Sequence, residues 1–167
     1  AGKKFLVDCG MYQGKITEEL ENSDPFVYNV NDIDFMLLTH AHIDHSGRIP
    51  KLYKQGYRNP IYAQKATCDL CSIMLPDSGH IQEMEAEWKN RKRMRENLEP
   101  LPPLYTAEDA YKSLEIFRPV DYDEIVDIDD CIINIKKHPT IDGIYEIEYR
   151  IPARQYGSNG ELEIIPN

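Results

Sequence analysis

Three histidines and an aspartate crowd into six positions directly after a short apolar run, and no other feature constrains the fold as strongly. The stretch reads Leu37-Leu38-Thr39-His40-Ala41-His42-Ile43-Asp44-His45-Ser46-Gly47. Residues 35–38 have the length and apolar character of a buried strand. Ser46 and Gly47 interrupt this pattern before a helical one begins at Ile49. The cluster is therefore predicted to lie on a loop at the end of a strand.

The side chains of this cluster are metal ligands by type. Imidazole nitrogen and carboxylate oxygen bind zinc-like ions, and a strand-end loop leaves coordination positions open for catalysis. His40 and His42 are two residues apart, so they can point the same way from an extended segment, whereas Asp44 and His45 are adjacent and must diverge. Two ions are therefore predicted. The alternative is a set of solvated loop histidines, but three of the chain's five histidines lie here.

The motif His-x-His-x-Asp-His after a strand resembles the signature of the metallo-β-lactamase fold. Two further stretches resemble the β-CASP branch of that superfamily, which contains RNA- and DNA-processing proteins: Asp77-Ser78-Gly79-His80-Ile81-Gln82-Glu83 with Ala86-Glu87-Trp88, and Glu99-Pro100-Leu101 with Tyr105-Thr106-Ala107-Glu108-Asp109-Ala110. The resemblance covers residues 3–129 and weakens from Lys136. It implies an α/β fold, a metallo-β-lactamase-like αββα sandwich, in an incomplete or shortened version. Residues 1–167 would form one partial domain without the inserted β-CASP domain.

The resemblance also implies site residues. Metal-ligand roles fall on five positions: His40, His42, Asp44, His45 and His80. A supporting role, from the second shell, falls on Asp8, which follows a predicted strand at residues 3–7; a turn-forming aspartate is the alternative there. On its own, His80 would more often be a surface residue of a helix that starts after the turn formers Ser78 and Gly79.

One metal-bridging residue of the family has no clear counterpart in this chain. Family members carry an Asp-x-Gly-His segment whose aspartate bridges the two metals. Asp142, followed by Gly143 but not by histidine, is the nearest candidate. His138 is interpreted as a surface residue. The chain is therefore expected to be either a fragment of a larger enzyme or a shortened relative.

Composition bounds the remaining possibilities. The chain has 167 residues, enough for one domain with a real core, and 41% of them are hydrophobic. No apolar run approaches ~20 residues and no signal-peptide pattern opens the chain, which predicts a soluble, cytoplasmic protein outside the membrane. The four cysteines show no disulfide pattern and are predicted to be reduced, partly buried thiols. The net charge of −10 argues against nonspecific nucleic-acid binding, although bound metal would offset several carboxylates.

The rest of the pattern predicts alternating strands and helices. A helix begins at Ile49, a strand covers residues 60–63, and a helix over residues 66–74 turns Ala66, Leu70, Cys71 and Met74 to the core. The helix after Gly79 carries a narrow apolar stripe of Ile81, Met84 and Trp88. A later helix starts at Thr106 and turns Ala110, Leu114 and Phe117 to the core. Strands are predicted at residues 132–135, 144–151 and 161–165.

Five cations fall within seven residues of the charged helix: Lys89, Arg91, Lys92, Arg93 and Arg95. Such a run is usually a solvated helix end, and its position suits the helix dipole. The functional alternative is a ridge that contacts phosphates beside the metals.

Three functions stay open at this stage. The first is a metal-dependent phosphodiesterase or ribonuclease that acts on RNA, including single-stranded RNA, through two zinc ions, with manganese as another option. In it Asp44 would be both ligand and water-orienting base. The second is a non-catalytic metal-binding domain, a fragment or pseudoenzyme that works through protein contacts. A small-molecule hydrolase is the third and is less favoured. A missing edge strand would allow a homo-oligomer, since exposed strand edges tend to pair.

Overall fold

A computed structural model describes residues 2–14, 21–128, 131–137 and 145–150, with the side chains of residues 137 and 145–150 left aside. Its core is a parallel sheet of four strands: β1 (Phe5–Val7), β2 (Phe35–Leu37), β3 (Ile61–Gln64) and β4 (Phe117–Val120). The strands lie side by side in chain order. Because all four are parallel, their carboxyl ends meet at one edge. The segments that follow β1 and β2 therefore start next to each other.

Within the described ranges, four α-helices accompany this sheet: α1 (Ile43–Ser46), α2 (Ile49–Lys54), α3 (Lys65–Arg95) and α4 (Ala107–Ser113). Short 3-10 helices cover Val30–Asp32 and Leu114–Ile116. Helical and sheet side chains share one buried cluster, which includes Leu6, Met36, Ile61, Ile49, Leu52, Cys71, Leu75 and Ala110. The helices thus cover one face of the parallel sheet.

A second, antiparallel sheet covers the opposite face. It consists of β5 (Ile125–Ile128), β6 (Cys131–Lys137) and β7 (Tyr145–Arg150) in that order. Cys131 and Ile133 of β6 form a buried cluster with Phe5, Phe35 and Leu37 of the parallel sheet. Side chains alternate along β2, so its even and odd positions serve different layers. Helices, parallel sheet and antiparallel sheet make three layers of the predicted αββα sandwich.

The predicted helix break between Asp77 and Gly79 is wrong, because α3 runs without interruption from Lys65 to Arg95. Pro76 and Gly79 are both buried, and tertiary packing here outweighs their weak helix propensity. A Cβ at Gly79 would lie 2.7 Å from the backbone nitrogen of Ala107, so the glycine lets α4 approach closely. His80 is therefore an interior residue of a long helix and does not start a new one.

Three smaller predictions also need correction. Asp44 and His45 lie in the single turn of α1 and not on an open loop. Phe117 is buried as predicted, but it begins β4 and does not end a helix. The buried face of α3 is rotated from the predicted one, because Leu70 is exposed while Thr67 and Cys71 are buried. Predictions for His138, Asp142 and the strand at residues 161–165 lie outside the described residues.

All four cysteines are free thiols, as predicted, and three of them are buried. Burial raises the pKa of Cys9 and of Cys71 to about 12, so both thiols stay protonated at neutral pH. They are packing residues and poor metal ligands.

Among the described residues, no helix combines the length and the apolar character that crossing a membrane requires.

Gly79→Ala is expected to lower the free energy of unfolding by about 1–3 kcal/mol, because the added methyl group would collide with the backbone of α4. Helix propensity alone predicts the opposite sign, by about 1 kcal/mol. Asp77→Ala, at an exposed position of the same helix, is the matched control. Urea unfolding of the three proteins measures both effects. A Gly79→Ala protein that is more stable than the parent would contradict this account of the α3–α4 contact.

Candidate metal centre

The carboxylate of Asp8 joins the ends of β1 and β2. Its Oδ1 accepts a hydrogen bond from the backbone N–H of Thr39 at 2.7 Å, and the Thr39 hydroxyl lies 2.8 Å from Oδ2. Oδ2 also lies 2.7 Å from Nδ1 of His45. The backbone N–H of Asp8 donates to the Leu37 carbonyl at 2.9 Å. One buried side chain therefore contacts both the start and the end of the histidine cluster.

The segment after Asp8 is locked against α1 by its backbone. Cys9 N–H donates to the His45 carbonyl at 2.7 Å, and Met11 N–H donates to the Ile43 carbonyl at 2.9 Å. Between them, a Cβ at Gly10 would lie only 1.6 Å from the Asp44 carbonyl oxygen. No side chain fits at this position, so Gly10 is required for the close approach. The two segments hold each other in a fixed position.

Arg48 also binds the segment after Asp8. Its backbone N–H donates to the Cys9 carbonyl at 2.9 Å, and its buried Nε donates to the Gly10 carbonyl at 2.6 Å. The guanidinium lies 4.7 Å from the ring centroid of Tyr12. Sequence reasoning missed both Arg48 and Thr39. Both flank the cluster in sequence, but their partners are distant along the chain and leave no local signal.

The four candidate ligands of the cluster at residues 40–45 form two donor pairs. His40 Nε2 lies 3.1 Å from His42 Nδ1, and His45 Nε2 lies 3.6 Å from Asp44 Oδ2. Two donors that share one tetrahedral zinc ion, at about 2.0–2.1 Å each, are separated by roughly 3.3 Å. Both pairs fit that spacing and the donor chemistry of zinc. The rings of His40 and His45 touch, with centroids 3.9 Å apart, so the two pairs are neighbours.

Each pair still lacks the third protein ligand of a catalytic zinc site. Within the part of the chain that the structure describes, no group of three or more His, Cys, Asp or Glu side chains is arranged to hold an ion. His80 lies exposed on α3 and makes no hydrogen bond or ion pair with a described residue. Its ligand role stays a prediction, and Asp142 is outside the described residues.

The surroundings favour ligand forms of these side chains. Burial is the first cause that lowers the pKa of His40 below its ordinary value, and the imidazoles of His45 and His42 lower it further. His40 is therefore neutral at pH 7, with a free lone pair. The Asp8 carboxylate is engaged with Nδ1 of His45, so Nε2 is the ring nitrogen that is available to a metal ion. The Asp44 side chain is 54% exposed, so the cluster opens to solvent.

Comparisons with known proteins bear on the family of this chain. The family model described as the metallo-beta-lactamase superfamily matches residues 1–70. Ribonuclease TTHA0252 of Thermus thermophilus is 39% identical over 74% of this chain, and the transcription termination factor FttA of Methanosarcina mazei is 33% identical over 75% of it. The chain spans only 24% and 18% of the length of these two relatives. A solved B3 metallo-beta-lactamase with an active-site glutamic acid has a TM-score of 0.47 and 16% identity, over 90% of this chain and 48% of that one.

Replacing Asp8 by asparagine should weaken zinc binding about 10- to 100-fold, because the amide no longer fixes the proton on Nδ1 of His45. Asp34→Asn is the matched control, since the Asp34 carboxylate accepts a backbone N–H from Lys4 at 2.8 Å at the opposite end of the same strands. Competition with a chromophoric chelator measures the affinity. Equal losses in the two variants would mean that Asp8 acts only on the stability of the fold.

The double substitution His42→Ala/His45→Ala should abolish zinc retention, because it removes one donor from each pair. Elemental analysis of the purified protein, beside a His80→Ala sample, provides the measurement. A doubly substituted chain that retains as much metal as the parent would place the site elsewhere.

Proposed function

We propose that this chain, whose residues 1–70 belong to the metallo-beta-lactamase superfamily, provides the metal-binding part of a phosphodiesterase that acts on RNA. The observation that carries the proposal is the geometry of the two donor pairs, which Asp8 holds next to each other. The two donor atoms are 3.1 Å apart in the first pair and 3.6 Å apart in the second. Enzymes that catalyse displacement at a phosphate commonly use two adjacent metal ions. Zinc suits the imidazole-rich donor set best, and manganese is the second choice.

The choice of RNA as substrate and partner rests on the relatives. Two are named as ribonucleases, one of them as a probable one, and several others as a transcription termination factor, names that belong to those proteins. Because this chain spans 27% of their length or less, their activity is transferred here only as a proposal. The histidine cluster lies within residues 1–70, the part of the chain that the family model matches. A small-molecule hydrolase has no comparable support among these relatives.

The residues of the centre would have different roles in the reaction. His40 and His42 would hold one ion, and Asp44 and His45 the other. Bound zinc would lower the pKa of a shared water and offset charge on the phosphate and the leaving oxygen. The exposed Asp44 carboxylate would orient that water and accept its proton, while Asp8 keeps His45 in the required tautomer.

A non-catalytic metal-binding domain is the second candidate. It is favoured by the finding that each donor pair has no third ligand among residues that the structure describes. Such a domain would bind metal less tightly and would act through protein contacts. Metal content and cleavage, measured on the same sample, separate the two functions.

Two further expectations belong to the proposal. A cytoplasmic location fits four free thiols. A homo-oligomer would form through β1, which pairs with β2 on one side only within the described sheet. Both remain predictions.

Single-turnover assays with labelled single-stranded RNA and added zinc should show feeble cleavage by this chain, and none by the Asp44→Ala variant. The reason is that incomplete ligand sets position the reacting groups poorly. Correct positioning can lower the reaction barrier by several kcal/mol, up to about 7–11 kcal/mol. Asp69→Ala, which removes an exposed carboxylate paired with Lys65 on α3, is the matched control and should cleave like the parent.

The outcomes of this assay are distinct. Cleavage that survives Asp44→Ala would contradict the proposed site. Tight zinc binding without any cleavage would favour the non-catalytic domain. Robust cleavage that disappears only in Asp44→Ala would show that residues outside the described part complete both ligand sets.

A further inference from the structure

The C-terminal end of α3 has one covered side and one open side. The side chain of Asn90 forms two hydrogen bonds of 2.8 Å with the backbone of Leu101, and Arg93 Nε donates to the Glu99 carbonyl at 2.7 Å. The chain that leaves α3 therefore runs back along this side of the helix. Gln82 and Ala86 lie on the same side, two turns and one turn before Asn90, and are half-buried.

The open side carries an aromatic ring and three cations. Trp88, Arg91, Lys92 and Arg95 follow one another at helical spacings of three, four and seven residues, which brings them to one face. All four are exposed, and the Trp88 side chain is exposed to 72%. These four residues are called the cationic ridge below.

The three cations of the ridge are not neutralised by described residues. Other cations of the same helix are engaged: Lys89 lies 3.4 Å from Glu85, and Arg93 is bonded to the returning chain. Arg91, Lys92 and Arg95 form no ion pair within the described ranges, although Glu87 lies one turn before Arg91. Three unpaired positive charges thus lie together on a chain of net charge −10. Such a local reversal of charge favours a polyanionic partner.

We propose that the cationic ridge binds single-stranded RNA, with a base stacked on Trp88 and phosphates on Arg91, Lys92 and Arg95. The inference rests on the proposed function, because it takes RNA as the substrate. An exposed aromatic ring beside cations is the combination that binds single strands without sequence preference, since every base has a stacking face. A protein partner is the competing occupant, because Ile81 and Met84, exposed to 47% and 58%, continue the same face towards the start of α3. RNA is favoured because the ridge itself is charged and aromatic.

The cations are tested by fluorescence anisotropy of labelled single-stranded RNA, in EDTA and at several salt concentrations. The variant Arg91→Ala/Lys92→Ala/Arg95→Ala should bind more weakly, and the slope of log affinity against log salt should fall by about two. Lys54→Ala/Lys65→Ala/Lys112→Ala is the matched control, because it removes the same charge from three lysines that are paired with carboxylates. Its slope should change by less than about one.

Trp88 offers an independent signal, because it is the only tryptophan of the chain. RNA should quench its fluorescence by stacking, whereas inorganic polyphosphate should bind without comparable quenching. Trp88→Ala should weaken RNA binding about 5- to 150-fold with an unchanged salt slope, which corresponds to the usual loss of about 1–3 kcal/mol per stacked base. Trp88→Phe should restore part of the affinity.

Every result bears on the ridge separately from cleavage. Three results would each contradict RNA binding by the ridge: an unchanged affinity in the triple variant, an equal loss of affinity in its control, or the absence of quenching by RNA. The metal centre is tested separately by the cleavage assay. Sedimentation that shows a dimer of this chain, dissociated by Trp88→Ala, without any RNA binding would identify the surface as a protein interface. RNA binding by the ridge in a chain that does not cleave RNA would support the proposed role of the ridge. Only the proposed catalysis would then be contradicted.

Discussion

The carboxylate of Asp8 organises the molecule at the edge where its parallel strands end. Asp8 has a backbone φ of 63°, a left-handed conformation that an L-residue adopts only at a cost of about 1–3 kcal/mol. Its side chain recovers this cost through bonds to Thr39 and His45, since a hydrogen bond to a charged group contributes about 1.5–3 kcal/mol. The unusual backbone directs the carboxylate across to the neighbouring strand end. It thereby links the start and the end of the histidine cluster.

The cluster also depends on the layers behind it. Phe35 and Leu37 face the antiparallel sheet while Met36 and Leu38 face the helices, so β2 is held from both sides and cannot slide. Gly10 and Arg48 then clamp the two strand-end segments with main-chain contacts that tolerate little movement. The donor pairs are therefore positioned by backbone packing. A centre of this kind is largely preorganised for its ligand.

Local patterns predicted the elements whose signal lies within a few residues. The apolar run at β2, the alternation at β7 and the dense histidine cluster belong to this group, and the family resemblance is confirmed by the match over residues 1–70. Contacts between distant segments were not predictable in this way. The continuity of α3 depends on Gly79 meeting α4, and the roles of Thr39 and Arg48 depend on Asp8 and Gly10 across the sheet edge. The turn formers before His80 were misleading because their usual preference yields to burial.

The length of α3 has an evolutionary consequence. With 31 residues it spans about 46 Å, and it carries its buried residues at one end and the ridge at the other. Inserting or deleting a single residue between Gly79 and Trp88 would rotate everything beyond by about 100°. The ridge would then turn towards the returning chain, and Asn90 would lose its partner Leu101. The middle of this helix should therefore change its length only in steps close to whole pairs of turns, such as seven residues.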